Sequence, residues 1–341
     1  MSSNRPELEH FGTTPSGETV HRVRLSGGGL TATVLTWGSV IQDLRLDGHT
    51  PPLVLGFDTL DDYLGHSPYF GATPGRCANR IASGRFTLDG EDHQLELNER
   101  GYGHLHGGSD GLAVRVWQVA ELSEDRIVLT IEDPEGRAGY PGTCRVTATY
   151  ALQPGGILSV TYASQTDRPT LANLCQHSYF NLDGRPDTLD HELMITADHY
   201  LPVDDRLIPS GEMKPVEGTS FDFRSPSPVR QFVDGEMVQF DHNFCLSPQR
   251  TDKRSVARLT SPHTDVVLEV LTTEPGVQFY AGAYVDVAVP GLEGRSYGPF
   301  SGICLETQIW PDAINNDNFP SAVLRPGETL RQETDYVFSR G

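Results

Sequence analysis

The sequence predicts an all-β protein, a large antiparallel sandwich, and three observations carry that prediction. Apolar and polar residues alternate with period two in segments spread along the whole chain. The 35 Gly and 24 Pro are scattered through the 341 residues, which disfavours long helices. Strand-like runs follow one another across turn signals, without the helical intervals that parallel βαβ units need. No composition break or low-complexity linker divides the chain, so a single domain over 1–341 is expected.

The elements follow in chain order. ETVHRVRLSGGGLTATVLTWGSVIQDLRLDG (18–48) reads as several strands interrupted by a glycine turn. FDTLDDYLG (57–65) suits a short helix with Asp58 or Thr59 near its start, since either side chain can accept from a free N-terminal amide. RIVLTIED (126–133), RVTATYAL (145–152) and DVVLEVLTT (265–273) are β-rich, and the second places Val146, Ala148 and Tyr150 on one face. LDG recurs at 46–48, 88–90 and 182–184, each time after a strand-like run, as expected of tight turns with positive φ.

Charge and cysteines narrow the function. A formal charge of −20 disfavours nucleic acid and anionic membrane surfaces, which would repel the chain. Cys77, Cys144, Cys175, Cys245 and Cys304 are odd in number, widely spread and free of CxxC pairs, so neither a disulfide framework nor a zinc site is indicated. Free thiols fit a reducing cytoplasm. The opening MSSNRPELEHFGTTPSG lacks a basic stretch followed by an apolar one, so no signal peptide is expected. No apolar run approaches the roughly 20 residues that span a bilayer. The expectation is a cytoplasmic protein with no nucleic-acid or membrane partner.

Several chemistries lack their motif. There is no GxxxxGK[ST] phosphate cradle and no GxSxG elbow. His104 and His106 of HLH would share one face of a strand, but a third ligand at recognisable spacing is missing, so no metal is expected. WPDAINNDNFP (310–320) lacks the spacing of a calcium-binding hand and reads as a loop with Asx caps. What remains is a set of polar, aromatic-flanked stretches: GRCANRIASGRF, GHLHGG, LCQHSYFNLDG, FDHNF, PGVQFY and GICLETQIWPD. His177 in the third is either a packed imidazole or a working one. Glu306 in the last sits in an otherwise apolar strand, either as a paired structural charge or as one held for chemistry. Together the amides, guanidinium, carboxylates and rings suit a polyhydroxylated ligand, and a Glu with a His can act as an acid/base pair.

In this order the stretches resemble the aldose 1-epimerase (galactose mutarotase) family over nearly the whole chain, from TWGSVIQDLRL (36–46) to LRPGETLRQETDYVF (324–338). YFGATPGRCANRIASGRFTLDG, RGYGHLHGG, QHSYFNL, FDHNF, PGVQFY and LETQ with PDAINNDNFPS carry the likeness. The resemblance implies a large antiparallel β-supersandwich. It places the general acid on His177, the general base on Glu306, and sugar contacts on Asn79, Arg80, His106, Asp241 and Gln278.

The implied reaction interconverts α and β anomers of free aldoses such as galactose or glucose. Glu306 takes the anomeric proton while His177 gives one to the ring oxygen, the C1–O5 bond breaks, and the open chain rotates and recloses. No cofactor is required, and the partner is a monosaccharide, bound by a monomer or homodimer. Cys175 stands where a Thr is more usual, Gln176 where a different amide is, and 281–298 departs from the usual loop composition. Three rivals stay open: a hexose-phosphate mutarotase, a non-catalytic sugar-binding protein, and a glycosidase using Glu306 and Asp241. His104 is expected to be structural, while Trp310 and Tyr179 could either stack on sugar or pack.

Overall fold

The computed structural model describes residues 6–67 and 69–341. Residues 1–5, which open the segment read as free of a signal peptide, and residue 68 lie outside the described residues. Every ladder between named strands is antiparallel. The 18–48 segment folds as Thr19–Gly27, Leu30–Leu35 and Ile41–Leu46, which join Glu9–Thr13 in a four-stranded sheet. Its glycine turn is required at Gly28, where φ is +60° and a Cβ would fall 1.8 Å from the Gln153 carbonyl oxygen.

A nine-stranded sheet runs in the order Ser227–Pro228, Glu192–Ile195, Arg254–Thr260, Val266–Thr272, Leu330–Arg340, Ile157–Thr166, Cys144–Gln153, Arg126–Asp133 and Gln118–Leu122. The last strand of the chain sits in its middle. A six-stranded sheet runs Tyr179–Phe180, Ile303–Gln308, Gly276–Tyr280, Asp241–Cys245, His199–Tyr200 and Lys214–Pro215. The main apolar core lies between these two sheets. Val146, Ala148 and Tyr150, the face read from the alternation, meet Val277, Phe279, Leu305 and Phe244 in one buried cluster. Each fully buried side chain of this size contributes about 1.5–3 kcal/mol relative to exposure.

The short helix is Leu60–His66, and Thr59 caps it by accepting from the Asp62 amide. Of the three LDG turns, the one at 88–90 has both Asp89 and Gly90 at positive φ and closes the hairpin of Arg85–Leu88 with Glu91–Gln94. At the other two, only Gly48 and Gly184 adopt positive φ. The five cysteines are free. Among the described residues no helix is long and apolar enough to cross a membrane.

Pleating decides what the six-stranded sheet offers on its far side. Successive side chains of a strand point to opposite faces. With Val277, Phe279, Leu305 and Phe244 turned into the core, Gln278, Tyr280, Cys304, Glu306, Asp241 and Asn243 turn away from it. That second face carries the candidate site.

Candidate active site

Strand register sets two rows across this face. Asp241 pairs with Tyr280 and Tyr280 with Cys304; one step along, Asn243 pairs with Gln278 and Gln278 with Glu306. Gln278 Nε2 donates to Asp241 Oδ1 at 2.6 Å, tying the rows together. Its Oε1 is buried without a protein partner among the described residues, an acceptor available to a ligand. Thr307, between Glu306 and Gln308, points the other way and bonds Thr334 of the nine-stranded sheet.

His177 arrives from the loop before Tyr179–Phe180. Its backbone is fixed on both sides, the amide donating to the Ala72 carbonyl at 2.9 Å and the carbonyl accepting from Gly71 at 3.0 Å. The ring is 4% exposed, stacks on Tyr179 with centroids 5.1 Å apart, and sets Nε2 3.6 Å from Glu306 Oε2. Each member of this pair also meets a thiol. Cys175 Sγ lies 3.2 Å from Glu306 Oε2, and Cys304 Sγ lies 3.5 Å from His177 Nδ1.

The remaining wall comes from the 69–80 and 103–108 segments. Arg76, 1% exposed, donates to Asp133 and to the Pro141 and Gly142 carbonyls, anchoring the stretch that leads to Asn79. The Asn79 amide donates to His106 Nδ1 at 3.1 Å, and the His106 amide donates back to the Asn79 carbonyl at 3.0 Å. Asn79 Oδ1 accepts from the Arg80 amide, which leaves the Nδ2 hydrogens as donors. Arg80 places Nε and Nη2 on Glu99 at 2.8–3.1 Å and Nη1 3.7 Å from Asp241. Tyr69, Asn79 and His106 all adopt left-handed φ, at +69°, +61° and +52°. Such strained backbone costs energy and persists where the surroundings over-determine it, as here around one pocket. Gly107 behind His106 must be glycine, because a Cβ there would fall 1.8 Å from the Gly75 carbonyl oxygen.

All seven residues expected from sequence therefore converge. Ligand atoms of His106, His177 and Glu306 lie within 4.8 Å of one another. A metal would need the lone pair of His106 Nε2. The Asn79 amide already makes Nδ1 the acceptor, so a neutral ring keeps its hydrogen on Nε2 and presents a donor instead. The ring stays neutral because burial, then the charges of His177 and Arg80, hold it well below the usual histidine range. This donor set fits hydroxyl groups better than a cation.

Burial also acts on the central pair. It lowers His177 to about 4 and raises Glu306 to about 8, the latter opposed by the Cys175 hydrogen bond, favoured by Asp241 and opposed by Arg80. Near neutral pH the pair holds one proton, and the carboxyl has the stronger claim on it. Desolvation penalises both ions, and the neutral pair avoids the penalty.

Other expected roles sort themselves by contact. His104 lies between the Glu96 carbonyl and the Tyr140 hydroxyl, each at 2.8 Å, and is structural as expected. Trp310 packs on Phe319 and donates to the Pro275 carbonyl. Tyr179 is buried behind His177. Asp312 accepts from the Ala82 amide and Asn315 Nδ2, so WPDAINNDNFP is a loop as read, but Asp312 makes no side-chain cap on the turn that follows it and instead ties the loop to the 80–82 strand. The sequence reading missed Tyr69, whose ring lies 4.6 Å from His106 and 5.8 Å from His177, and Glu99, which holds Arg80. Tyr69 is the first residue of the quoted YFGA motif and Glu99 directly precedes RGYGHLHGG, so the signals lay in or beside stretches already singled out.

A family model described as aldose 1-epimerase matches residues 21–337. The chain is 44% identical to a Rattus norvegicus protein named galactose mutarotase, over 96% of this chain and 97% of that one. It is 34% identical to an Escherichia coli protein named aldose 1-epimerase, over 95% of this chain and 96% of that one. Among solved structures, a C. elegans aldose epimerase homologue superposes with a TM-score of 0.88 at 30% identity, covering 94% of this chain and 99% of that one.

Proposed function

The chain belongs to the aldose 1-epimerase family and is an isomerase of the mutarotase type, and on that premise we propose that His177 and Glu306 are its acid and base. The observation that carries this reading is the pair itself: two buried titratable groups, 3.6 Å apart, ringed by sugar-binding chemistry. Asn79 Nδ2, His106 Nε2 and Arg80 supply donors, while Gln278 Oε1 and Asp241 supply acceptors, a mixture that suits a ring of hydroxyls.

The shared proton makes the mechanism economical. GluH with neutral His, and Glu⁻ with HisH⁺, contain the same number of protons and are two forms of one macroscopic state. The second form is the working one. Reaching it requires the 3.6 Å gap to close to hydrogen-bond range, or a sugar hydroxyl to bridge it. Glu306 then takes the anomeric proton as His177 protonates the ring oxygen. C1–O5 breaks to give the aldehyde, rotation about C1–C2 presents the other face, and ring closure returns both protons. Each transfer contributes on the order of 100- to 10,000-fold.

Free aldoses such as galactose or glucose are the substrates in this proposal. A phosphorylated hexose fits less well, because Arg80 is already committed to Glu99 and faces Asp241, so a phosphate would meet two carboxylates. Polarimetry of fresh α-D-galactose, α-D-glucose, a pentose and a hexose 6-phosphate tests the reading. Faster approach to anomeric equilibrium for the free sugars supports it. Acceleration of the phosphate alone, or of none, would overturn it. Action as one domain over 1–341, a cytoplasmic setting and a monomeric or homodimeric state belong to the same proposal. The central position of Leu330–Arg340 in the nine-stranded sheet supports the first.

A further inference from the structure

Glu306 Oε2 receives two contacts, from Cys175 Sγ and from His177 Nε2. Cys175 is 1% exposed and lies on a segment held from both sides. Gln332 Oε1 accepts from the Leu174 amide at 3.0 Å, and Gln332 Nε2 donates to the Leu174 carbonyl at 2.9 Å. Gln332 Nε2 also reaches buried Glu274, itself paired with Arg250. On the other side, Gln176 Nε2 donates to the Gly71 carbonyl at 2.7 Å and the His177 amide is fixed by Ala72. The thiol is thus placed by anchors that do not involve the carboxylate it meets.

Resting on the reading of Glu306 as the base, we propose that Cys175 is its positioning residue: the thiol hydrogen holds Oε2 against His177 and leaves Oε1 to meet the sugar. The direction of donation follows from chemistry. In the working form the ionised carboxylate only accepts, and burial followed by the Glu306 charge keeps the thiol protonated, well above its usual value. A donor to the charged form favours that form, so Cys175 increases the share of Glu306 that can act as a base. The other groups facing Glu306 are His177, Asp241, Arg80, its strand neighbour Cys304, Tyr179 behind His177, and Tyr336 from the opposite sheet. Asp241 and Arg80 act on the carboxylate in opposite senses, and the Tyr336 hydroxyl donates to the Leu305 carbonyl instead. The hydrogen bond that Cys175 donates to Glu306 favours its ionisation.

The test compares kcat/KM against pH for wild type, Cys175→Ser and Cys175→Ala, with Glu306→Gln as control and circular dichroism to establish folding. A hydroxyl donates more strongly than a thiol, and alanine does not donate. The alkaline limb is expected to lie lowest for Ser, intermediate for Cys, and about half a unit to one unit higher for Ala. KM should stay within about twofold throughout, since a residue this buried does not touch the sugar. A purely packing role would move none of the limbs. If Cys175→Ala does not fold, the Ser-to-Cys displacement alone decides. Coincident limbs, or a reversed order, with Glu306→Gln inactive would overturn this proposal alone. An active Glu306→Gln would overturn the reading of Glu306 on which it rests.

Discussion

The backbone amide of Asn79 donates to Nδ1 of His106 at 3.1 Å, and this one bond fixes which ring nitrogen the site sees. Nε2 keeps its hydrogen, so His106 enters the pocket as a donor. His106→Ala should lower kcat/KM about tenfold to a hundredfold, the cost of a lost hydrogen bond and an emptied wall. His106→Gln, which can present an amide donor, should recover part of it. Treatment with EDTA should leave the activity unchanged. Steady-state kinetics on the two variants and on chelated enzyme check all three statements.

The His177–Glu306 pair should give kcat/KM a bell-shaped pH dependence. Below the lower step both groups are protonated and the base is lost; above the upper step both are deprotonated and the acid is lost. With His177 lowered to about 4 and Glu306 raised to about 8, the one-proton form fills the interval between. A profile that rises steadily from pH 5 to pH 10 would contradict this assignment.

Glu306 also links stability to pH. Its folded value, about 8, lies above the ordinary 4.5, so the stability it contributes is fully present below 4.5 and is lost as pH rises through 8. Glu306→Gln cannot ionise and escapes that loss. Its melting temperature should match wild type near pH 4.5 and exceed it by several degrees at pH 9, a difference that scanning calorimetry would detect.

Arg80 depends on Glu99 for its aim. Both side chains are largely buried, at 10% and 13% exposure, so removing one charge strands the other. Glu99→Gln should raise KM about tenfold with a smaller change in kcat, because the guanidinium loses a bidentate partner and swings toward Asp241. Equal losses in kcat and kcat/KM would show instead that Arg80 acts only in the transition state.

Much of this was legible in the chain. The alternation at Val146, Ala148 and Tyr150 named a real core face, because a half-buried strand must alternate. A helix start at Asp58 or Thr59 was legible from the side chains, and the structure puts the cap on Thr59. The site residues were legible through long ordered motifs rather than through spacing. What stayed hidden depends on contacts across the fold. Cys175 meets Glu306 across 131 positions, and nothing local to either marks the other. Trp310 could not be told apart from a stacking residue until Phe319 and the Pro275 carbonyl were seen to occupy it. The desolvation that favours the neutral forms of His177 and Glu306 was hidden for a related reason, since it depends on the complete burial of both.

The most direct measurement is anomer exchange of galactose, followed by NMR saturation transfer at pH 7, for wild type, Glu306→Gln and His177→Asn. The account predicts acceleration by wild type and at least about a 100-fold loss in each folded variant, the lower bound for one proton transfer. Exchange at the wild-type rate in either variant would contradict it.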